Sequence, residues 1–246
     1  MSNFKGLSIA DLPAPLAEAL AWQPSGQGKR ERTRRQLLLA AVQVFGAQGV
    51  PGATIQEIAA VAGMTTGTVY NHFDTKEAIV AALALWMTEA LNARILQSLD
   101  GVAEGAQRTV IGHRRHVWLA RESPRWALLL LEISASVPAT AQYIAQFALA
   151  DLRLGVEQKA FHLSSEAAAL DLVMGLGSQA MLTAAQGKAS ADHDMDTAAL
   201  LLRGLGMETD HAATVARKPL PDFPPLDALP RHPPVGSGAL QLLQKA

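Results

Sequence analysis

From Lys29 onward, apolar side chains recur at helical spacing and are broken by short polar or glycine-containing stretches. Leu38, Ala41, Val42 and Phe45 fall at i, i+3, i+4 and i+7, which places one apolar stripe on a helix ending near "AQGVPG". Thr54 and Glu57 then have the spacing of a capping box, and Ile55, Ile58, Ala59 and Ala62 repeat the stripe over a short second helix. Gly63 follows, a residue suited to the left-handed conformation of a tight turn. Thr65 or Thr66 caps a third helix with Val69 and Phe73 facing inward. Asp74 and Glu77 repeat the capping-box spacing ahead of a long helix whose buried stripe is Ile79, Ala82, Leu83 and Trp86. A short helix, a glycine turn and a polar-faced helix make a helix-turn-helix.

Beyond this point the pattern stays helical, without convincing alternation of the strand type. Units are expected over about 101–122, 124–136, 139–161, 164–187 and 194–207, with Ser123 before Pro124 as one start signal and Pro138 as another. The fold class is therefore all-α: an N-terminal three-helix domain over residues 29–76, joined by a long helix to a helical domain over 77–208. Residues 1–28 read as a flexible extension ending in "QPSGQG". Residues 209–246 read as a proline-rich tail, extended or disordered, with "GALQLLQKA" as at most a short docking helix.

The third helix and its flanks, "AGMTTGTVYNHFDTKE", are rich in small hydrogen-bonding groups where a core helix would carry leucine and a plain surface helix lysine or glutamate. Charge agrees with a contact there. The chain is nearly neutral at −1, yet residues 29–76 hold six Lys or Arg against three Asp or Glu, a local net of +3, and the flanking segments are acidic. A basic segment confined to one end points to a polyanion. In a helix-turn-helix the second helix enters the major groove and flanking groups hold phosphates. The DNA-facing set is then Thr33, Thr54, Thr65, Thr66, Gly67, Thr68, Tyr70, Asn71, His72 and Lys76. Thr66, Thr68 and Asn71 supply donors and acceptors for bases or phosphates, and Gly67 permits close approach. Tyr70, His72 and Lys76 suit phosphate or groove contacts, and Thr33 with Arg30, Arg32, Arg34 and Arg35 suits the backbone.

These residues, in "ERTRRQLLLAAVQVFGAQGVPGATIQEIAAVAGMTTGTVYNHFDTKEAIVAAL", closely resemble the DNA-binding domain of the TetR family of bacterial transcription regulators. The matching elements are Phe45 and Gly49, "TIQEIAAVAGM", "TTGTVYNHF" and the "TKE" opening of the next helix. The resemblance covers about a fifth of the chain. It implies an all-helical homodimer that binds a palindromic operator in double-stranded DNA and commonly represses genes until a small-molecule effector binds the larger domain. It also implies a dimer interface on the last two long helices, here 164–187 and 194–207, with Leu172, Gly175, Leu176, Gln179 and Leu201 as the residues expected there.

A ligand pocket is mostly apolar with a few polar groups, and His116, Trp118, Trp126, Tyr143, Phe147 and Met174 are its candidates, weighed against a simple core role. "GHRRHVWLARE" sets His113 and His116 three apart with Arg114, Arg115 and Arg121 nearby, a composition that suits a metal or an acidic ligand; no third metal ligand has a readable spacing. "DHDMD" reads as capping and dipole stabilisation of the last long helix. No catalytic motif, metal site or cofactor site emerges, and the absence of cysteine removes thiolate chemistry. With no signal peptide and no run of about 18 uninterrupted apolar residues, the expected location is the bacterial cytoplasm without a membrane partner, at the nucleoid when bound to an operator. Control by a protein partner instead of a small ligand is the alternative reading, and an enzyme the more remote one.

Overall fold

The computed structural model describes residues 7–22 and 28–225, and among them every regular element is helical. The "QPSGQG" linker and the "GALQLLQKA" helix fall largely or wholly outside the described residues. The elements are α1 (Ala14–Ala21), α2 (Lys29–Gly52), α3 (Ile55–Val61), α4 (Thr66–Tyr70), α5 (Lys76–Ser98), α6 (Gly105–Glu122), α7 (Pro124–Ala135), α8 (Pro138–Glu157), α9 (Glu166–Ala185), α10 (His193–Gly204) and α11 (Thr209–Ala216). They form two compact units that part within α5: among the described residues the first runs to Leu91 and takes in Leu129–Thr140, and the second runs over Asn92–Leu128 and 141–225. The boundary expected at residue 77 lies at the start of α5, whereas the two units part after Leu91.

In the first unit the expected stripes are buried: Leu38, Ala41, Val42 and Phe45 on α2, Ile58 and Ala59 on α3, Val69 on α4, Ile79 and Leu83 on α5. Trp86 lies at the edge, with the Arg35 guanidinium 5.7 Å from its ring centroid. The Thr54–Glu57 capping box forms in both directions, at 2.9 and 3.2 Å. At α5, in contrast, Thr75 accepts the Ala78 amide at 3.1 Å, so the threonine beside Asp74 caps the helix. Part of the N-terminal extension is also folded. A 3-10 turn at Ile9–Asp11 and α1 bury Leu7, Leu12, Leu16 and Leu20, and Arg35 donates to the carbonyls of Leu20 and Trp22. Leucines at 12, 16 and 20 give one face of a helix, a period that the flanking prolines obscure.

In the second unit α6 packs against α9, α10 and α11. The core includes Val110, Leu152, Phe161, Leu201, Leu202 and Leu205. Close approach is built in where α6 starts: a Cβ on Gly105 would collide with the Gly155 backbone. Arg114, 8% exposed, donates from Nε to Asp194 at 2.7 Å and from Nη1 to the carbonyls of Ala216 and Lys218 at 3.0 and 2.7 Å. Asp194 thus pairs with a buried guanidinium, which the expected capping role did not include, while Asp192 at the N-cap makes no side-chain cap bond. The expected tail from residue 209 begins as helix α11, capped by Glu208 and burying Ala212, Val215 and Ala216.

By length and composition alone two helices among the described residues could cross a membrane, α5 at mean hydropathy 1.5 and α9 at 1.3, although neither is an uninterrupted apolar run. The apolar window of α5 is 78% buried inside the protein; that of α9 is only 22% buried.

His113 on α6 is buried, with Nε2 2.8 Å from the Thr197 hydroxyl and Nδ1 without a partner. Burial, with a further push from His116, lowers its pKa to about 4. The unfolded chain therefore takes up this proton first as pH falls. The stabilisation is present above about pH 6.5, shrinks between 6.5 and 4, and is reduced by about 2 kcal/mol at pH 5. Urea unfolding at pH 7 and pH 5 should show this loss, with a smaller loss in His113→Gln; equal losses in the two proteins would contradict the assignment.

Candidate DNA-binding surface

The turn between α3 and α4 is set by backbone conformation. Gly63 has φ +65°, and Gln36 on α2 donates to the Ala62 carbonyl at 2.9 Å, fixing the end of α3. Thr65 caps α4 through its hydroxyl, which accepts the Thr68 amide at 3.2 Å and lies 2.9 Å from the Thr68 hydroxyl. Val69 and Phe73 anchor the inner side. On the outer side Thr65, Gly67, Tyr70 and Asn71 are exposed, with Thr66 and Thr68 half-buried between them. Seven of the ten expected residues therefore lie on α4 or its immediate flanks, His72 included.

Gly67 needs no glycine for the protein's own sake. It lies inside a helix, and a Cβ there would meet only the Thr65 hydroxyl at 3.8 Å. The position is open toward solvent, so the lack of a side chain leaves room for something outside the chain.

Arg30 and Arg34 on α2 have internal duties. Arg30 donates to the Asn71 carbonyl at 3.4 Å, at the end of α4. The Arg34 guanidinium stands 4.9 Å from the Phe73 ring centroid. Burial lowers its pKa, with Glu31 and Glu89 opposing. His72 lies near this group: its Nδ1 is buried without a partner, and burial followed by Arg30 and Arg34 lowers its pKa. The Thr33 hydroxyl donates to the Lys29 carbonyl at 3.1 Å. Thr54 is exposed but engaged with Glu57 in its capping box.

Lys76, expected at a phosphate, has its ammonium turned to the protein's own backbone. Gly49, at φ +75°, breaks α2 and turns the carbonyls of Val50, Pro51 and Ala53 toward the start of α5. The Lys76 ammonium donates to all three, at 2.9, 3.4 and 3.0 Å, which uses its three donors.

The expected ligand and interface residues fall into different settings. Tyr143 and Phe147 form an edge-to-face pair at 5.2 Å on α8, whereas Trp118 on α6 meets Phe223 at 5.2 Å. Trp126 is 1% exposed, His116 bonds the Gly112 carbonyl within α6, and Met174 is half-buried on α9. An open groove of about 470 Å³ is lined by Val156, Lys159, Phe161, His162, Leu163 and Ser164, none of them expected. Of the interface set, Gly175 and Gln179 are exposed on α9, while Leu172 and Leu176 pack on the core of the second unit. Leu201 is fully buried in that core, so it is no interface residue; its neighbour Leu200, about 100° around α10, is 55% exposed. Phe223, Arg94 and Leu200 were not singled out from the sequence.

Residues 37–83 match the bacterial regulatory proteins of the tetR family, and residues 104–218 match the tetracyclin repressor-like C-terminal domain. Over 55 residues, 22% of the chain, it is 51% identical to two proteins of Pseudomonas putida, the uncharacterized HTH-type transcriptional regulator TtgW and the HTH-type transcriptional regulator SrpR. These matches span 41% and 26% of the two relatives, less than half of either. The crystal structure of RolR in complex with resorcinol superimposes with a TM-score of 0.67 at 27% identity, covering 80% of this chain and 98% of that one. Helix-turn-helix geometry, an all-helical second unit and the two matched segments agree: the chain belongs to the tetR family of DNA-binding transcriptional regulators.

Proposed function

We propose that this chain is a cytoplasmic homodimeric repressor, seated on a palindromic operator and released when a small molecule binds its second unit. The observation that carries the DNA-reading part is the outer side of α4, where capped threonines, Tyr70 and Asn71 surround a glycine that internal packing does not require. Phosphate contacts would come from exposed hydroxyls, amides and cations around this helix and would supply affinity. Thr68 and Asn71 would supply preference among sequences.

Dimerisation is supported by α9, whose apolar window is 22% buried within one chain, with exposed Leu200 on neighbouring α10. An apolar surface of this kind is commonly covered by a partner, and two-fold symmetry would match the two halves of a palindrome. Sedimentation at working concentration should give the dimer mass, and Leu200→Glu should shift it toward the monomer; a wild-type monomer would contradict the arrangement. The small-ligand part is supported by the likeness to RolR, solved with resorcinol. Such a ligand would favour a conformation that binds the operator less well, and linkage then requires the operator to weaken ligand binding by the same factor.

Base reading is tested by measuring Thr68→Ala and Asn71→Ala against a panel of operator variants. Each should change the order of preference by about 1–3 kcal/mol at the base pair it reads. Uniform weakening across the panel would reassign both side chains to the backbone.

A further inference from the structure

The arginines of the "GHRRHVWLARE" stretch lead to a second feature. After α11, residues 217–225 run without regular structure, and four of the last seven, Pro219, Pro221, Pro224 and Pro225, have no amide hydrogen. Arg115 on α6 donates to the Pro221 carbonyl. Arg94 on α5 donates from Nη2 to the Pro224 carbonyl at 2.7 Å and from Nη1 to Gln97 at 2.6 Å. Between those carbonyls sits Phe223. Its ring centroid is 3.8 Å from the Arg115 Cζ, 5.4 Å from the Arg94 Cζ and 5.2 Å from the Trp118 ring, which is tilted by 51°. One aromatic ring is thus held among two guanidinium groups and an indole, with a neutral oxygen set on each guanidinium.

Both arginines are deeply placed, Arg94 at 2% and Arg115 at 6% exposure. The Arg115 Nε is buried without a hydrogen-bond partner, and among the described residues Arg115 makes no ion pair. Burial lowers its pKa to about 10, with Asp222 opposing, so it is cationic at neutral pH. A desolvated guanidinium is stabilised far better by a carboxylate on its planar fork than by one carbonyl, because charge-assisted bonds are about twice as strong and the fork takes two. Cation and indole faces together favour an aromatic ring.

We propose that this is a binding site for an aromatic carboxylate, closed in this structure by the chain's own Phe223. The ligand's ring takes the place of the Phe223 ring, its carboxylate takes the place of the Pro221 carbonyl on Arg115, with Arg94 alongside, and residues 219–225 leave the surface. The segment holds itself through a ring and carbonyl oxygens, the two chemistries that one aryl carboxylate combines. This names the ligand class for the small-molecule control proposed above and rests on that reading.

The test uses the full-length protein titrated calorimetrically with benzoate, and with benzyl alcohol and acetate as ring-only and carboxylate-only probes. Phe223→Ala should bind benzoate roughly tenfold more tightly than the wild type, because the competing occupant is gone. Arg115→Gln should lose benzoate binding, and the other two probes should bind neither protein. The chain lacks cysteine, so Pro219→Cys gives a unique nitroxide position, and in the otherwise unaltered protein benzoate should sharpen its spectrum as the segment is released. That readout stands even where the Phe223 variant fails to fold. Absence of benzoate binding, equal response to benzyl alcohol, or benzoate binding with an unchanged nitroxide spectrum would overturn the proposal. A specific operator recovered from a protein that ignores benzoate would sink the ligand class alone, whereas failure of DNA binding would sink the regulator reading.

Discussion

Arg114→Ala should lower the unfolding free energy by about 3–5 kcal/mol, the range for breaking a buried ion pair from one side. The Arg114 side chain is 10% exposed and that of Asp194 is 14% exposed, so both charges are largely out of water. Removing the guanidinium leaves Asp194 with Arg121 at 3.5 Å and leaves the carbonyls of Ala216 and Lys218 without this donor. The effect reaches three elements, because Arg114 ties α6 to the first turn of α10 and to the end of α11. Urea unfolding followed by circular dichroism measures it. Arg114→Lys should recover only part, since an ammonium cannot copy the fork that serves a carboxylate and two carbonyls together. A loss below about 1 kcal/mol would mean that the pair's desolvation nearly cancels its attraction.

Lys76→Ala should cost about 3 kcal/mol, consistent with hydrogen bonds made by a charged donor. Three backbone carbonyls around the Gly49 break lose their partner, and the link between the end of α2 and the start of α5 goes with them. The useful contrast is with DNA binding. If Lys76 neutralised a phosphate, its removal would reduce the salt slope of binding by about one. With the ammonium occupied internally, the variant measured below its unfolding temperature should keep the wild-type slope. A slope reduced by one, with unchanged stability, would return Lys76 to the phosphate-binding set.

The helix-turn-helix was legible in the sequence because its signals are local: a capping box at Thr54, a positive-φ glycine at 63, a threonine cap at 65 and apolar residues at i, i+3, i+4 on each side. The internal contacts of Lys76 were not legible because its partners lie 23–26 residues away and face it only after the chain breaks at Gly49. Leu201 and Leu200 differ by one step of helical phase. Without a known packing direction for α10, the sequence offered no way to separate the core side from the outer side. Helix α11 was hidden by averaging, since the prolines that mark a tail begin only at Pro219. The Phe223 closure needed both ends of the second unit at once, Arg94 from α5 and the segment beyond α11, which no spacing rule brings together.

The central claim, that α4 reads a specific two-fold operator, is tested most directly by selecting sheared genomic DNA on the purified protein at about 150 mM salt and footprinting what is retained. The salt condition suppresses bulk electrostatic binding enough for sequence preference to show. Recovery of a few palindromes, protected in successive major grooves about 34–36 Å apart or at a multiple of that spacing, is the predicted result. Uniform retention of unrelated sequences, or none at all, would contradict it.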